Sequence, residues 1–246
     1  MKSLHNKKII ISAGASGIGL ATAKVCLSRG AYVYLCDIND KSLKKLNKHP
    51  LKNKRLFVYQ CDASNEEQVS LFFNKVKKKT KKIDALINNV GIAGPTGSLE
   101  KLKSKDWEKT IHVDVNSHFY FTKKAIPLIK KSKNGSIINI SSTAGILGFP
   151  LRSPYAASKW AIIGVTKTLA MELGRFNIRV NSIAPGLTDT DMMRASTPDQ
   201  FLKDTLNRVS LNRVAHPDEI ANVVLFLASD LSTYITGQTI RVDGGM

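Results

Sequence analysis

Acidic residues are scarce in this 246-residue chain: 19 Asp and Glu stand against 37 Lys and Arg, a net charge of +18. A balance this positive raises the question of nucleic acid. Aromatic residues, however, make up only 7% of the chain, and the densest basic runs (75–82, then Lys123, Lys124, Lys130 and Lys131) are not interleaved with them. A binder of single strands needs such stacking platforms. The excess is mostly Lys, spread over several expected helices, which describes solvated faces. No nucleic-acid partner is expected, although a positive field can draw in an anionic substrate or cofactor.

Cysteine is sparse as well. Cys26, Cys36 and Cys61 are odd in number and lack metal-ligand spacing, so neither a disulfide framework nor a metal site is expected, and they read as reduced core thiols. Long apolar runs are missing: nothing approaches a membrane span, and residues 1–8 carry no signal-peptide core. A cytoplasmic, non-membrane protein is the expectation. Internal repeats, low-complexity tracts and Pro/Ser-rich linkers are also lacking. With 43% hydrophobic residues, residues 1–246 read as one domain with a large core.

What is present is an alternation of short apolar runs and helical periodicity. Strands are predicted at 8–12, 31–36, 56–60, 84–88, 135–141, 178–183 and 237–242. Helices are predicted at 17–29, 65–79, 105–132, 154–174 and 217–228, and the segment 186–215 reads as mobile. Repeated βα units imply an α/β fold, a Rossmann-type doubly wound parallel sheet of about seven strands with helices on both faces. Ligands in such sheets bind beyond the strand C-terminal ends. Six polar or glycine-rich stretches fall there: Gly14 to Gly19, Asp37, Asp62, Asn88 to Gly91, Ser142, and Pro185-Gly186.

The first of these, Ser12-Ala-Gly-Ala-Ser-Gly-Ile-Gly19, joins a strand to a helix N-terminus. Its backbone N–H groups and the helix dipole favour phosphate, and its glycines let a pyrophosphate approach closely. Asp37 lies twenty positions after Gly17, where a dinucleotide fold places the acid that grips the adenosine ribose. A carboxylate there repels a 2′-phosphate, and Ser16 and Ile38 add no compensating positive charge. NAD is therefore favoured over NADP, with Lys41 close enough to complicate the choice.

Tyr155 and Lys159 are four residues apart on an expected helix, so the Lys lies beneath the Tyr on one face. A phenol has a reference pKa of about 10; a neighbouring ammonium favours phenolate and moves it toward acid–base chemistry near neutrality. Ser142, on a neighbouring loop, is placed to donate to a substrate oxygen.

These pieces together make the chain similar to the short-chain dehydrogenase/reductase family, essentially from end to end. The resemblance rests on Ala15-Ser-Gly-Ile-Gly19, Asp62, Asn88-Asn-Val-Gly91, Ser142 thirteen residues before Tyr155, Tyr155-Ala-Ala-Ser-Lys159, Arg179 to Gly186, and Gly237 with Val242-Asp-Gly-Gly245. It implies that Tyr155 is the general acid/base, that Lys159 lowers its pKa and holds the nicotinamide ribose, and that Ser142 orients the substrate oxygen. Cofactor contacts would come from Ser12, Gly14, Ser16, Gly17, Ile18, Gly19, Asp37, Ile38, Asp62, Ala63, Asn89, Val90, Gly91, Pro185, Gly186, Thr188 and Thr190. It also implies a homotetramer or homodimer, with the helices at 105–132 and 154–174 as the dimer face.

Two departures from the family pattern stand out. Ser12-Ala13 replaces the usual Thr-Gly, and negative φ is expected at Ala13. Asp114 falls where the family has a catalytic Asn. An ionised Asp near Lys159 would favour the ammonium yet offset its pull on Tyr155, raising the apparent pKa of catalysis; the alternative is that Asp114 hydrogen-bonds like Asn with little effect.

The substrate pocket is expected from Ile92 to Pro95, Thr143, Ala144, Leu147, Phe149, Arg152, Leu187, Met192 and Met193, with Ser142, Arg152, Tyr155, Gly186 and Met192 in contact. Segment 186–215 is expected to close as a lid. Arg152 offers a planar fork suited to carboxylates, which points to a secondary alcohol or ketone of small, anionic type. Two other readings stay open: a 3-oxoacyl-thioester (acyl-carrier-protein) reductase, and a non-catalytic dinucleotide-sensing or nucleic-acid-binding protein.

Overall fold

Alternation along the central strands divides the interior in two. In β1 (Lys8–Ile11), Ile9 and Ile11 enter one apolar cluster and Ile10 the other, because successive strand side chains point to opposite faces. The same division runs through β2 (Tyr32–Asp37), β4 (Ala85–Asn88), β5 (Gly135–Ile140) and β6 (Ile178–Pro185). Strands buried on both faces read as near-continuous Ile/Val/Leu runs. One layer is built by α1 (Gly17–Ser28) and α9 (Pro217–Ala228), with Cys26, Ile220, Val224 and Leu227 in its core. The other is built by α3 (Glu66–Lys79), α5 (Ser117–Ile129) and α6 (Ser153–Leu173), centred on Phe72, Phe73 and Phe121.

This computed structural model describes residues 4–48 and 54–246; Met1 to Ser3, part of the expected run into β1, lie outside them. Among the described residues one parallel sheet of seven strands has the order β3-β2-β1-β4-β5-β6-β7, with β3 at Leu56–Gln60 and β7 at Thr239–Val242. No helix among them is long and apolar enough to cross a membrane, and no group of three or more His, Cys, Asp or Glu could hold a metal ion. All three cysteines are buried and free. The lysines at 77–79 fall in the last turn of α3, where cations complement the helix dipole.

Three stretches differ from expectation. Helix α2 (Asp40–Lys48), for which no element was expected, buries only Leu43 and Leu46. The single helix expected over 105–132 is α4 (Ser104–Ile111), a π-helical turn at His112–Asn116, and α5. The wider turn holds Asp114, wholly buried. Within 186–215, two short helices form: α7 (Asp191–Ser196) and α8 (Asp199–Leu206). That segment is closed at its base, where Asp189 N–H donates to Ala215 O and Ala215 N–H to Leu187 O, each at 2.9 Å.

Candidate active site

The chain leaves β1 toward one edge of the sheet and β4 toward the other, opening a crevice beyond their C-terminal ends. The glycine-rich turn crosses this crevice. Gly14 N–H donates to Cys36 O at 2.9 Å, Ala15 N–H to Asp37 Oδ2 at 3.0 Å, and Asn89 Nδ2 to Ala13 O at 2.9 Å. Gly17 has φ of +49°, and a Cβ on Gly19 would lie 2.2 Å from Ala13 O. Ser16 caps α1 in extended conformation, exposed, with no side-chain cap bond, and no acidic residue occupies the first turn. A helix N-terminus of this kind, with glycines where Cβ atoms would intrude, suits a pyrophosphate.

Ala13 departs from the expected negative φ: it adopts +49°. Its carbonyl must meet the Asn89 amide and pass the Gly19 Cα, while the next N–H must reach β2, and the left-handed backbone meets these demands. Ser12, expected among the cofactor contacts, is bonded within the protein. Its hydroxyl is buried between the strand ends, donating to Ile87 O at 3.4 Å and accepting from Asn89 N–H at 3.1 Å, so its side chain faces the sheet. Gly14 is likewise packed inward, with a Cβ position 2.8 Å from Leu35 Cβ.

At the far side of the turn, Asp37 is nearly covered, Oδ1 accepting from Asn39 N–H at 2.9 Å. Beside it Ile38 is 64% exposed, a large apolar side chain presented at the rim. Asp62 Oδ1 accepts from Ser64 N–H at 2.9 Å and Ser64 Oγ at 2.7 Å, and Ala63 is buried.

Ser142, Tyr155 and Lys159 converge from two elements. Ser142 accepts from Ala144 N–H at 3.1 Å and so starts the tight turn 143–145. A Cβ on Gly145 would lie 2.7 Å from Lys159 O; glycine thus lets this turn rest on the α6 backbone, bringing Ser142 beside the helix. Lys159 Nζ lies 5.4 Å from the Tyr155 ring centroid, as the spacing predicts. It donates to Ile140 O at 3.5 Å and stands 3.8 Å from Asp114 Oδ2. Asp114 also accepts from Ile92 N–H and Ser158 Oγ, both at 2.8 Å. Burial pushes its carboxyl above the usual range, against the opposing pull of Lys159 and these donors. Gly91 leaves room for the ammonium, since a Cβ there would lie 2.8 Å from Nζ.

Ser158, Gly145 and His118 belong to this arrangement; Ser158 stood inside the Tyr155-Ala-Ala-Ser-Lys159 motif without a role assigned to it, and no sequence motif marked the other two as site residues. The His118 ring bonds Val90 O at 3.2 Å. Burial, helped by the nearby Lys159 charge, pushes its pKa down to about 3, so the ring is neutral and Nε2 donates. A run of buried amides and hydroxyls, Thr122, Asn88, Asn139 and Thr166, bonds α5 through β4 and β5 to α6 at 2.8–2.9 Å. Isolated Asn and Thr residues inside apolar runs were the available signal for it.

One cavity of about 600 Å³ holds Ser142, Tyr155, Lys159, Ile18, Asn89, Gly91, Pro185, Gly186, Thr188 and Thr190 in its wall. Thr190 Oγ1 accepts from Met193 N–H at 3.2 Å and caps α7. The remaining wall takes Thr143, Ala144, Phe149, Arg152, Leu187, Met192 and Met193, all expected there. From the loop after β4, expected over 92–95, it takes Ala93 and, one residue beyond, Thr96, without Ile92 or Pro95, and Leu147 is turned out, 37% exposed. Arg152 is in the wall, but its guanidinium is engaged with main-chain carbonyls.

A family model described as enoyl-(acyl carrier protein) reductase matches residues 12–246. The chain is 41% identical to a 3-oxoacyl-[acyl-carrier-protein] reductase of Thermotoga maritima, over 99% of this chain and 98% of that protein. It is 37% identical to a 3α-hydroxysteroid dehydrogenase of Mediterraneibacter gnavus, over 98% and 97%. The crystal structure of levodione reductase superposes with a TM-score of 0.92 at 28% identity, covering 98% of each chain. The chain belongs to the short-chain dehydrogenase/reductase family. It is an oxidoreductase of CH–OH and carbonyl groups that works with a nicotinamide nucleotide.

Proposed function

We propose that the enzyme interconverts a secondary alcohol and its ketone, with NAD as the preferred nucleotide. The observation that carries this reading is the meeting of Ser142, Tyr155 and Lys159 in the wall of one cavity, on the same rim as the glycine-rich turn. When bound, the nicotinamide nucleotide accepts or supplies the hydride. The Tyr155 oxygen takes the hydroxyl proton during oxidation and returns it during reduction. Ser142 holds the substrate oxygen through its O–H, and Lys159 holds the nicotinamide ribose from beneath the Tyr155 ring. Asp114 fixes Lys159 from behind, and through Ser158 it also fixes the helix that carries both residues.

Residues 186–215 form the lid over this cavity, held at their base by the contacts of Leu187 and Asp189 with Ala215. Preference for NAD follows from Asp37; Ile38 and Asp62 would hold the adenosine, and Thr188 and Thr190 the nicotinamide end. The neutral rim residues Ser16 and Ile38 leave a 2′-phosphate without a cation there. The proposal includes self-association to a homotetramer or homodimer. Phe119, Trp160, Val165 and Met171, on α5 and α6, are 55%, 52%, 44% and 86% exposed, and light scattering measures the assembly.

The test is Tyr155→Phe. Turnover is expected to fall by about 10²–10⁴, while nucleotide binding, read by quenching of tryptophan fluorescence, stays within a few-fold of the parent. Retained turnover overturns the assignment. A second reading, reduction of a 3-oxoacyl thioester on an acidic carrier protein, is favoured by the name of the Thermotoga relative and by the basic surface. Assaying an acyl-carrier thioester against a free ketone, each with both reduced nucleotides, separates the two.

A further inference from the structure

Arg152 stands in the substrate half of the cavity with both terminal nitrogens already engaged. Nη1 donates to Ala93 O at 2.9 Å and to Gly94 O at 3.5 Å, while Nη2 donates to Ser196 O. Ser196 is the last residue of α7, so the guanidinium sits at the carbonyl end of that helix, where a cation is favoured. A bidentate carboxylate site needs two parallel N–H groups aimed at one ligand. Here the two terminal nitrogens donate instead to three carbonyls from two separate segments, the loop after β4 and the lid.

The other charged residues in the wall do not supply an anion site either. Lys159 is committed to Asp114 and Ile140 O, and Asp204 brings a negative charge from α8. Around Ser142 and Tyr155 the wall is otherwise largely apolar, with Ala144, Phe149, Leu151, Leu187, Met192 and Phe201. The Phe149 ring lies 6.4 Å from that of Tyr155 and 5.6 Å from that of Phe201, edge-on at 82°. An aromatic row thus runs from the phenol to the lid.

Building on the secondary-alcohol reading above, we propose that this cavity takes uncharged, ring-bearing ketones and alcohols and rejects their carboxylates, with Arg152 serving as the clasp of the lid. A ring held there meets aromatic edges and polarizable thioethers. A carboxylate reaching for Arg152 would strip three carbonyls of their donor and share the cavity with the like charge of Asp204. Arg152 is then a positioning residue: it holds α7, with Met192 and Met193, over the site.

The test pairs 4-methylcyclohexanone with 4-oxocyclohexanecarboxylate, which share one ring. With the reduced nucleotide, kcat/KM is expected to favour the neutral ketone by about tenfold or more, as one unscreened charge repulsion allows. Arg152→Lys is expected to raise KM for both substrates alike, because the clasp serves either. A carboxylate turned over as well as the ketone overturns the proposal, as does a loss in Arg152→Lys confined to the carboxylate. Calorimetric binding of both compounds to the enzyme–nucleotide complex separates this from the reaction itself. If neither is turned over but the ketone binds more tightly, the cavity proposal stands and the oxidoreduction reading of this substrate class fails. Equal binding, or none by either, overturns the cavity proposal.

Discussion

Asp114 Oδ2 lies 3.8 Å from Lys159 Nζ, with the carboxylate wholly buried and the ammonium 4% exposed. Burial raises the carboxyl's pKa in the folded state despite this partner and two further donors. A carboxyl whose folded pKa exceeds its unfolded one favours folding fully at low pH, and that contribution is lost as pH rises through the folded value. Asp114→Asn keeps the shape without the titration. Its stability relative to the parent is therefore expected to improve between pH 4 and pH 7, read by urea denaturation at both. The lost negative charge is also expected to move the pH profile of alcohol oxidation to lower pH. An unmoved profile means that Asp114 merely hydrogen-bonds as Asn would.

Ala13 occupies a left-handed backbone conformation at φ of +49°, which costs a non-glycine residue roughly 1–2 kcal/mol. Glycine removes that strain but loses more backbone freedom on folding. Ala13→Gly is expected to stabilise the protein by about 0.5–1 kcal/mol on balance. The denaturation midpoint should rise at unchanged slope. No gain would mean that neighbouring contacts of the Ala13 methyl offset the strain.

Much of the sheet was legible because its strands are continuous apolar runs such as Lys8-Ile-Ile-Ile11, and because polar residues gather at their C-terminal ends. The four-residue spacing of Tyr155 and Lys159 was enough to predict their approach. Helix α2 is nine residues long with only two leucines among Lys, Asp, Asn and Ser, too few apolar positions to stand out, and its stability comes from docking onto the sheet. The π-helical turn at His112–Asn116 is a local widening that no composition marks; Asp114 betrayed its importance but not its geometry. Ala13 misled because side-chain preference was outweighed by two backbone contacts across the sheet. The contacts of Arg152 with Ala93, Gly94 and Ser196 were not legible, because they depend on where residues 186–215 lie, which is tertiary information.

At the other end of β4, Asp84 accepts from Lys8 N–H at 2.8 Å, Ser132 Oγ at 2.7 Å and Lys82 Nζ at 3.2 Å. Burial raises its carboxyl pKa, but these donors outweigh burial and the net shift is downward. Stability from a depressed carboxyl is present above its unfolded pKa and lost as pH falls through the folded one. Asp84→Asn is expected to cost about 1–3 kcal/mol at neutral pH, and the gap to the parent should close as pH falls below about 4. Because the residue lies at the end of the sheet away from the cavity, KM should stay unchanged. A cost independent of pH would assign the loss to packing instead of charge.

Asp37 accepts from the main chain on both sides. Its Oδ2 accepts from Ala15 N–H at 3.0 Å and Oδ1 from Asn39 N–H at 2.9 Å, so the carboxylate ties the glycine-rich turn to the end of β2. In the reading proposed above, that carboxylate also repels a 2′-phosphate and so favours NAD. Asp37→Asn retains an acceptor for the turn and removes the repulsion. The ratio of kcat/KM for NAD to that for NADP is expected to fall by about tenfold or more, chiefly through a lower KM for NADP. Asp37→Ala should lose affinity for both nucleotides, because the Ala15 N–H is then left without its acceptor and the turn is no longer held. If Asn leaves the ratio where it was, discrimination lies elsewhere on the rim, and Lys41 becomes the residue to substitute.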